Sequence, residues 1–318
     1  MLLVELLFGL LILILGAEYL ISGAIILGRK FNLSEIFIGI IIIGFGTSLC
    51  ELFVSIDAVL SNASELSLGN IIGSNIANIL LVIGSAALIK SFRIPKLPNL
   101  DLLTHIFATL LFTFVCFFSY LNIYWGILFV LCFIVYFFKI IDNSKNLLKS
   151  NDNNQKDLNI IEKSVWKSPF IFGPLVIFFS IFLIFSGADL TVDSAIEISK
   201  ILGISESVIG LSLIAIGTSL PEIASGIVAV RKGKFLMVVG NVVGSNLYNI
   251  LLIIGASTFF NKYDYNLENI SNDLIFLNCC LIFFTFLTIK KVVISKIMSI
   301  VMLLMYLGYL GYIFSKTI

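Results

Sequence analysis

Glu51 and Glu222 each lie inside an apolar stretch long enough to cross a membrane. Each follows a Gly-Thr-Ser run, Gly46-Thr47-Ser48 and Gly217-Thr218-Ser219. A carboxylate at that depth costs roughly 3 kcal/mol or more on insertion scales, so such groups are functional by default. Pro221, just before the second Glu, lacks an N–H and collides with the carbonyl four residues earlier, which predicts an interrupted helix. Interruption frees backbone oxygens at or near Gly44, Thr47, Ala215 and Thr218, and a bilayer tolerates these only where they line a cavity or meet an ion.

Two further stripes add oxygens. Asn70, Ser74 and Asn78 recur at i, i+4 and i+8, as do Asn241, Ser245 and Asn249, so each trio shares one helix face. Gly69, Gly73 and Gly84, like Gly240, Gly244 and Gly255, permit close helix approach. Gly and Ser at this spacing more often mean packing alone; the paired Glu residues turn the balance towards ligation. Two carboxylates, freed carbonyls, and amide and hydroxyl oxygens make a hard, all-oxygen cage of charge −2 that draws on neither Cys nor His. Calcium accepts six to eight such oxygens at roughly 2.3–2.6 Å, whereas Mg²⁺ demands a tighter octahedron. Sodium is similar in size to calcium, so two or three Na⁺ could occupy the same oxygens, and mutual exclusion would couple the two movements.

Ten apolar segments present these residues, near 2–28, 35–60, 67–89, 101–120, 122–141, 169–199, 206–230, 236–260, 270–289 and 292–314. About 20 apolar residues cross a hydrocarbon core of roughly 30 Å. Hydrophobic residues make up 59% of the chain and charged ones 12%, which argues against a soluble enzyme. Residues 1–5 lack a basic leader, so the first segment is expected to be retained. The polar stretch 142–168 reads as a flexible linker between two halves, 1–141 and 169–318. Of the 20 Lys and Arg residues, 17 fall in loops after odd-numbered segments. Cations are retained on the cytoplasmic face, which places this linker inside and both chain ends outside a cell membrane.

The halves repeat at a constant shift of 171 residues. GFGTSLCE at 44–51 matches AIGTSLPE at 215–222, and GNIIGSNIANILLVIG at 69–84 matches GNVVGSNLYNILLIIG at 240–255. Five segments per half is an odd number, so the second copy enters the bilayer from the opposite side. The expected fold is therefore an all-α polytopic membrane protein of ten transmembrane helices, arranged as two inverted five-helix repeats. Secondary transporters are built this way, with the substrate near the midplane where the copies meet.

GTSLCE with GNIIGSN, and GTSLPE with GNVVGSN, resemble the two alpha-repeats of the cation/calcium exchanger superfamily, and the ten-span layout is similar to its prokaryotic sodium/calcium exchangers. The resemblance implies antiport of Na⁺ against Ca²⁺, with segments one and six sliding over the other eight. It also implies that Glu51 and Glu222 ligate both ions, that Thr47 and Thr218 supply carbonyls, that Ser48, Ser74, Ser219 and Ser245 coordinate Na⁺, and that Asn78 and Asn249 complete the centre. Two residues depart from the pattern. Cys50 stands where the first motif has Pro, so a break there must rest on Gly44, Gly46 and the Thr and Ser side chains. Asn249 stands where potassium-dependent relatives carry Asp, which argues against K⁺ co-transport.

Other readings are a Ca²⁺/H⁺ exchanger using the same Glu residues and, from a different class, a passive cation channel, against which the two-copy layout argues. No Ser/His pair or His metal set points to an enzyme, and no resident cofactor is implied. A net charge of +1 points to no nucleic-acid partner; the partners are the transported ions and the lipid bilayer, with a monomer plausible. Glu18 and its repeat counterpart Asp189 divide evenly between hydrogen bonds in the moving bundle and places near helix ends. Asp57 is expected on a solvated face. The single His, His105, is expected to be a satisfied helix residue, and the five Cys to be buried apolar thiols.

Overall fold

Long aliphatic and aromatic runs fold here as helices, because a backbone in hydrocarbon must satisfy its N–H and C=O groups within its own segment. The computed structural model describes residues 2–31, 33–118, 121–148, 169–201 and 206–317. The described helices are α1 (Leu2–Lys30), α2 (Glu35–Thr47), α3 (Leu49–Leu60), α4 (Ser64–Ile89), α5 (Asn99–Phe118), α6 (Ile123–Leu148), α7 (Pro169–Ile201), α8 (Glu206–Arg231), α9 (Phe235–Ser257), α10 (Leu267–Ile289) and α11 (Lys296–Thr317). Eight of them are long and apolar enough to cross a bilayer, and the bent pair α2–α3 makes a ninth. The 26-residue α8 occupies the place of the seventh expected segment. The chain is a helical, multi-pass membrane protein.

Its loops sort into two groups. Two-residue strands β1 (Phe92–Arg93) and β2 (Val293–Ile294) pair antiparallel, joining the loops after the third and ninth segments. Lys234 meets Glu35 at 2.6 Å, joining the loops after the first and seventh. The remaining loop contacts join even-numbered positions: Asn261 Nδ2 donates to Asn62 Oδ1 at 2.9 Å, and Asn266 N to Glu65 Oε1 at 2.7 Å. Helices that cross alternately require this sorting. The repeat also survives in turn geometry, since Asn62 (φ 58°) and Gly233 (φ 70°), 171 residues apart, both take the left-handed conformation that reverses the chain.

Helices α4 and α9 form the centre, with 78% and 94% of an apolar 18-residue stretch buried, against 22% for the outer span Ile123–Asp142 of α6. The first half of the α2–α3 pair lies hard against α9. A Cβ on Gly244 would come within 2.6 Å of the Ile40 carbonyl oxygen, and one on Gly39 within 2.6 Å of the Met237 oxygen. Both neighbours are backbone and cannot rotate away. Helices α1 and α7 pack chiefly along each other, touching the rest mainly through α8 and the first half of α2.

The structure has one of the two expected helix breaks and corrects the other. The segment carrying Cys50 is the interrupted one: it stops at Thr47, turns through Ser48 (ψ 3°) and restarts at Leu49 with a 43° bend. Pro221, expected to break its segment, sits inside the continuous α8. A proline removes only its own N–H, and a helix can carry it when neighbouring groups take up the freed carbonyl. The backbone departs from α geometry elsewhere as well, in π-helical turns at Ile38–Gly44, Asn78–Val82 and Tyr248–Ile254. The last two begin within one residue of matched positions in the two halves, and π turns frequently mark functional sites. Helix α6 runs on to Leu148, past the expected start of the linker at 142. Residues 149–168 of the linker lie outside the described residues.

Candidate ion-binding site

The break in α2–α3 sets Thr47 and Ser48 on one side of a helix end and Glu51 on the first turn of the next helix. A helix that stops leaves its last carbonyls, Thr47 among them, without intrahelical partners. Across from it, α8 carries Thr218, Ser219 and Glu222, while α4 and α9 bring Ser74, Asn78, Ser245 and Asn249 on their π-turn flanks. The repeats interlock here, since α3 packs on the π turn of α9 and α8 packs on the π turn of α4.

All ten candidate residues are buried, and Glu51 and Glu222 have no exposed surface at all. Buried polar atoms in proteins nearly always find a hydrogen-bond partner. This cluster breaks that rule in a concentrated way. Among the described residues, Ser48 Oγ, both carboxylate oxygens of Glu51, Ser74 Oγ, Asn78 Oδ1, Thr218 Oγ1, Ser219 Oγ, both oxygens of Glu222 and the whole Asn249 amide are buried without a partner. The two carboxylates are close enough for Glu222 to act electrostatically on Glu51. Ser74 lies beside Glu51, and Thr47 and Ser245 lie beside Glu222, without a hydrogen bond of standard geometry to either carboxylate. Two buried carboxylates ringed by oxygens without a protein hydrogen bond are the kind of donor set that a cation could satisfy.

The other two candidates are bound within the protein. Thr47 Oγ1 donates to Ile43 O at 3.1 Å, with Gly44 O and Asn241 Oδ1 each at 3.4 Å. Its backbone carbonyl is the atom it can offer. Ser245 Oγ lies 3.5 Å from Gly44 O, across the repeat interface. The polar stripes therefore divide by depth. Asn70 and Asn241 clamp helices together, donating to Ser55 Oγ at 3.0 Å and Ser225 Oγ at 3.2 Å, and the Asn and Ser positions deeper along each stripe face the cage.

Asn75 and Asn246, which the stripe spacing passed over, are also fully buried at the centre. Asn78 Nδ2 donates to Asn246 Oδ1 at 3.0 Å, and Asn246 Nδ2 lies 3.1 Å from His105 Nε2. The signal was present in the sequence, for both Asn residues belong to the repeated Gly-Ser-Asn at the shift of 171. His105 packs its ring edge-on against Phe284 at 5.6 Å, and its second nitrogen, Nδ1, has no partner among the described residues.

The paired outer acids have separate surroundings. Glu18 forms an ion pair with Lys232, whose Nζ also lies 3.2 Å from Ser22 Oγ. Asp189 instead lines an open cavity of about 360 Å³ with Asp193, Cys50, Val192, Gly217 and Thr218. The cavity borders the cluster, since Thr218 and Cys50, the neighbour of Glu51, are among its lining residues. Asp57 is exposed. Of the five thiols only Cys116 and Cys280 are buried; Cys50 and Cys132 are half-buried and Cys279 is exposed, which corrects the expectation that all five would be buried.

The chain matches the model of the family described as sodium/calcium exchanger protein over residues 1–141 and 172–315, so the unmatched interval covers the polar stretch. It is 31% identical over 290 residues to sodium/calcium exchanger MaX1 of Methanosarcina acetivorans, covering 80% of this chain and 82% of that protein. It is 29% identical over 257 residues to inner membrane protein YrbG of Escherichia coli, covering 78% and 76%. Among solved structures, the sodium-calcium exchanger NCX_Mj soaked with zero Na⁺ and Ca²⁺ superposes with a TM-score of 0.79 at 26% identity, covering 98% of both chains.

Proposed function

Because this chain belongs to the sodium/calcium exchanger protein family, we propose that it is an antiporter that exchanges Na⁺ for Ca²⁺, each ion displacing the other from one oxygen cage at the repeat interface. The observation that carries this reading is the pair of fully buried, cation-free carboxylates, Glu51 and Glu222, among buried oxygens that have no other partner. A cage of charge −2 is neutralised by one Ca²⁺ or by two Na⁺, so neither set fits well beside the other. If three Na⁺ replaced one Ca²⁺, each cycle would move net charge and respond to membrane voltage.

In this reading Glu51 and Glu222 bind both ions, Thr47 offers a carbonyl freed at the helix break and Thr218 the second lone pair of its helical carbonyl, Ser48, Ser74, Ser219 and Ser245 coordinate Na⁺, and Asn78 and Asn249 close the cage with amide oxygens. The ions are cargo, and no resident cofactor is needed. Alternating access comes from α1 and α7, whose mutual packing lets them move as a pair across the remaining helices. The cavity beside Cys50 and Thr218 gives the ion a way in on one side, and the packing of α1 on α8 closes the other. The excess of cations in odd-numbered loops supports a cytoplasmic linker and outside termini, with 1–141 and 169–318 as inverted repeats.

The test is ⁴⁵Ca²⁺ uptake into proteoliposomes loaded with Na⁺. Uptake that follows the outward Na⁺ gradient is expected. Uptake that ignores Na⁺ and follows a pH gradient would replace sodium coupling with proton coupling through the same carboxylates.

Position 50 adds a kinetic prediction. Cys50 lies in the first turn of α3, where a helix N–H has no intrahelical partner and proline's fixed φ is well suited. Cys50→Pro is therefore expected to fold and to change the maximal exchange rate more than the half-saturating Ca²⁺ concentration. Initial rates measured across a Ca²⁺ series separate the two quantities.

A further inference from the structure

Asn78 can serve a cation only if its amide oxygen, not its NH₂ group, faces the cage. The two ends are nearly the same size and shape, so something outside the cage must fix which way the amide points. The hydrogen bonds supply that constraint. Asn246 Nδ2 lies 3.5 Å from the backbone carbonyl of Asn75, and a carbonyl oxygen can only accept. The same Nδ2 lies 3.1 Å from His105 Nε2, so its second hydrogen goes to the ring. With its NH₂ held on that side, Asn246 must turn Oδ1 towards Asn78, and Asn78 Nδ2 donates to it at 3.0 Å. Asn78 Oδ1 is then left over, buried and without a partner.

We infer that His105 is a positioning residue for cation binding. Its Nε2 lone pair polarises a chain, His105–Asn246–Asn78, whose far end presents an oxygen to the ion. This inference rests on the exchange reading and extends it to a residue that never touches the ion. It requires a neutral ring with its proton on Nδ1, because an N–H at Nε2 would oppose the NH₂ of Asn246. The relay belongs to one half only. The repeat counterpart of His105 is Phe276, and Asn249, the counterpart of Asn78, has neither end of its amide engaged among the described residues. The two amides are thus unequal by construction: Asn78 is held in one orientation, whereas Asn249 is left to be turned by its ligand.

His105→Leu is expected to raise the half-saturating Ca²⁺ for Na⁺-driven uptake about fivefold, the weight of one buried hydrogen bond, with the maximal rate within about twofold of wild type. His105→Gln, whose side-chain oxygen can still accept, is expected to restore wild-type half-saturation. In an Asn78→Ala background, where there is no amide to orient, His105→Leu is expected to add nothing, and this non-additivity separates positioning from general support of the fold. Should His105→Leu not fold, His105→Phe keeps a ring against Phe284 and removes the acceptor. Wild-type half-saturation in whichever variant folds, a loss that adds in full to that of Asn78→Ala, or no rescue by Gln would each overturn the inference. Wild-type protein in the same vesicles keeps the questions apart. If it shows no Na⁺-driven uptake, the exchange reading itself fails.

Discussion

Glu51→Gln is expected to lower Ca²⁺ uptake by at least about a hundredfold, and Glu222→Gln to do the same. Gln keeps the shape of the side chain but removes one of the two charges that attract the ion. In a buried site, stripping the partner from an ionic interaction costs about 3–5 kcal/mol, which is about two to nearly four powers of ten in binding. The two substitutions should act alike because both carboxylates are fully buried and each lacks a protein cation. The same physics predicts the opposite sign for the empty protein. With no ion bound, two nearby buried carboxylates repel one another, so removing one should leave thermal stability equal to wild type or higher. Melting curves with and without Ca²⁺ test both halves together. Wild type should gain stability from Ca²⁺, and each Gln variant should lose that gain while folding normally. Transport near wild-type level in either variant would remove that residue from the cage.

The second large effect is expected at Gly244. A Val there would drive its Cβ to 2.6 Å from Ile40 O and 2.7 Å from Ile40 Cα, both backbone atoms of α2. Overpacking a tight core costs about 1–3 kcal/mol and more where nothing can rotate aside, and here α2 and α9 would have to separate. Gly244→Val should therefore lose about 3 kcal/mol or more of stability and sharply lower the yield of folded protein. Gly308→Ala is the control. Nothing lies within 4 Å of its new methyl, and alanine is about 1 kcal/mol better than glycine inside a helix. Detergent melting temperatures of the two variants should move in opposite directions from wild type. A wild-type melting temperature for Gly244→Val would mean that α2 and α9 do not approach as described.

The cluster of candidate residues was visible in the sequence because the chain states it twice. A polar residue kept at the same offset in two apolar copies is conspicuous, and hydrophobic pattern alone would not keep Ser74 with Ser245 or Asn78 with Asn249. Only one of the two breaks was legible. Proline is a visible signal for interruption, yet the chain carries Pro221 through a continuous helix and stops without proline at Ser48. What decides this is whether packed neighbours take up the backbone groups that an interruption frees, which residue type encodes weakly. The π turns were hidden for the same reason. His105 was read only as a satisfied helix residue, since it has no counterpart at the shift of 171 and its partner Asn246 lies 141 residues away in sequence.

The pairing of α1 with α7 bears on the surroundings of the protein as well as its interior. The outer surfaces of these two helices carry bulky apolar side chains, among them Val4, Leu7 and Phe8 on α1 and Phe178, Phe179 and Phe182 on α7. If the pair shifts along the rest of the protein as proposed, it drags that surface through the acyl chains. Its speed then depends on how readily the surrounding lipid yields, whereas ion affinity, set in the interior, does not. A stiff or thick membrane would act on this protein as a brake, leaving its appetite for ions untouched.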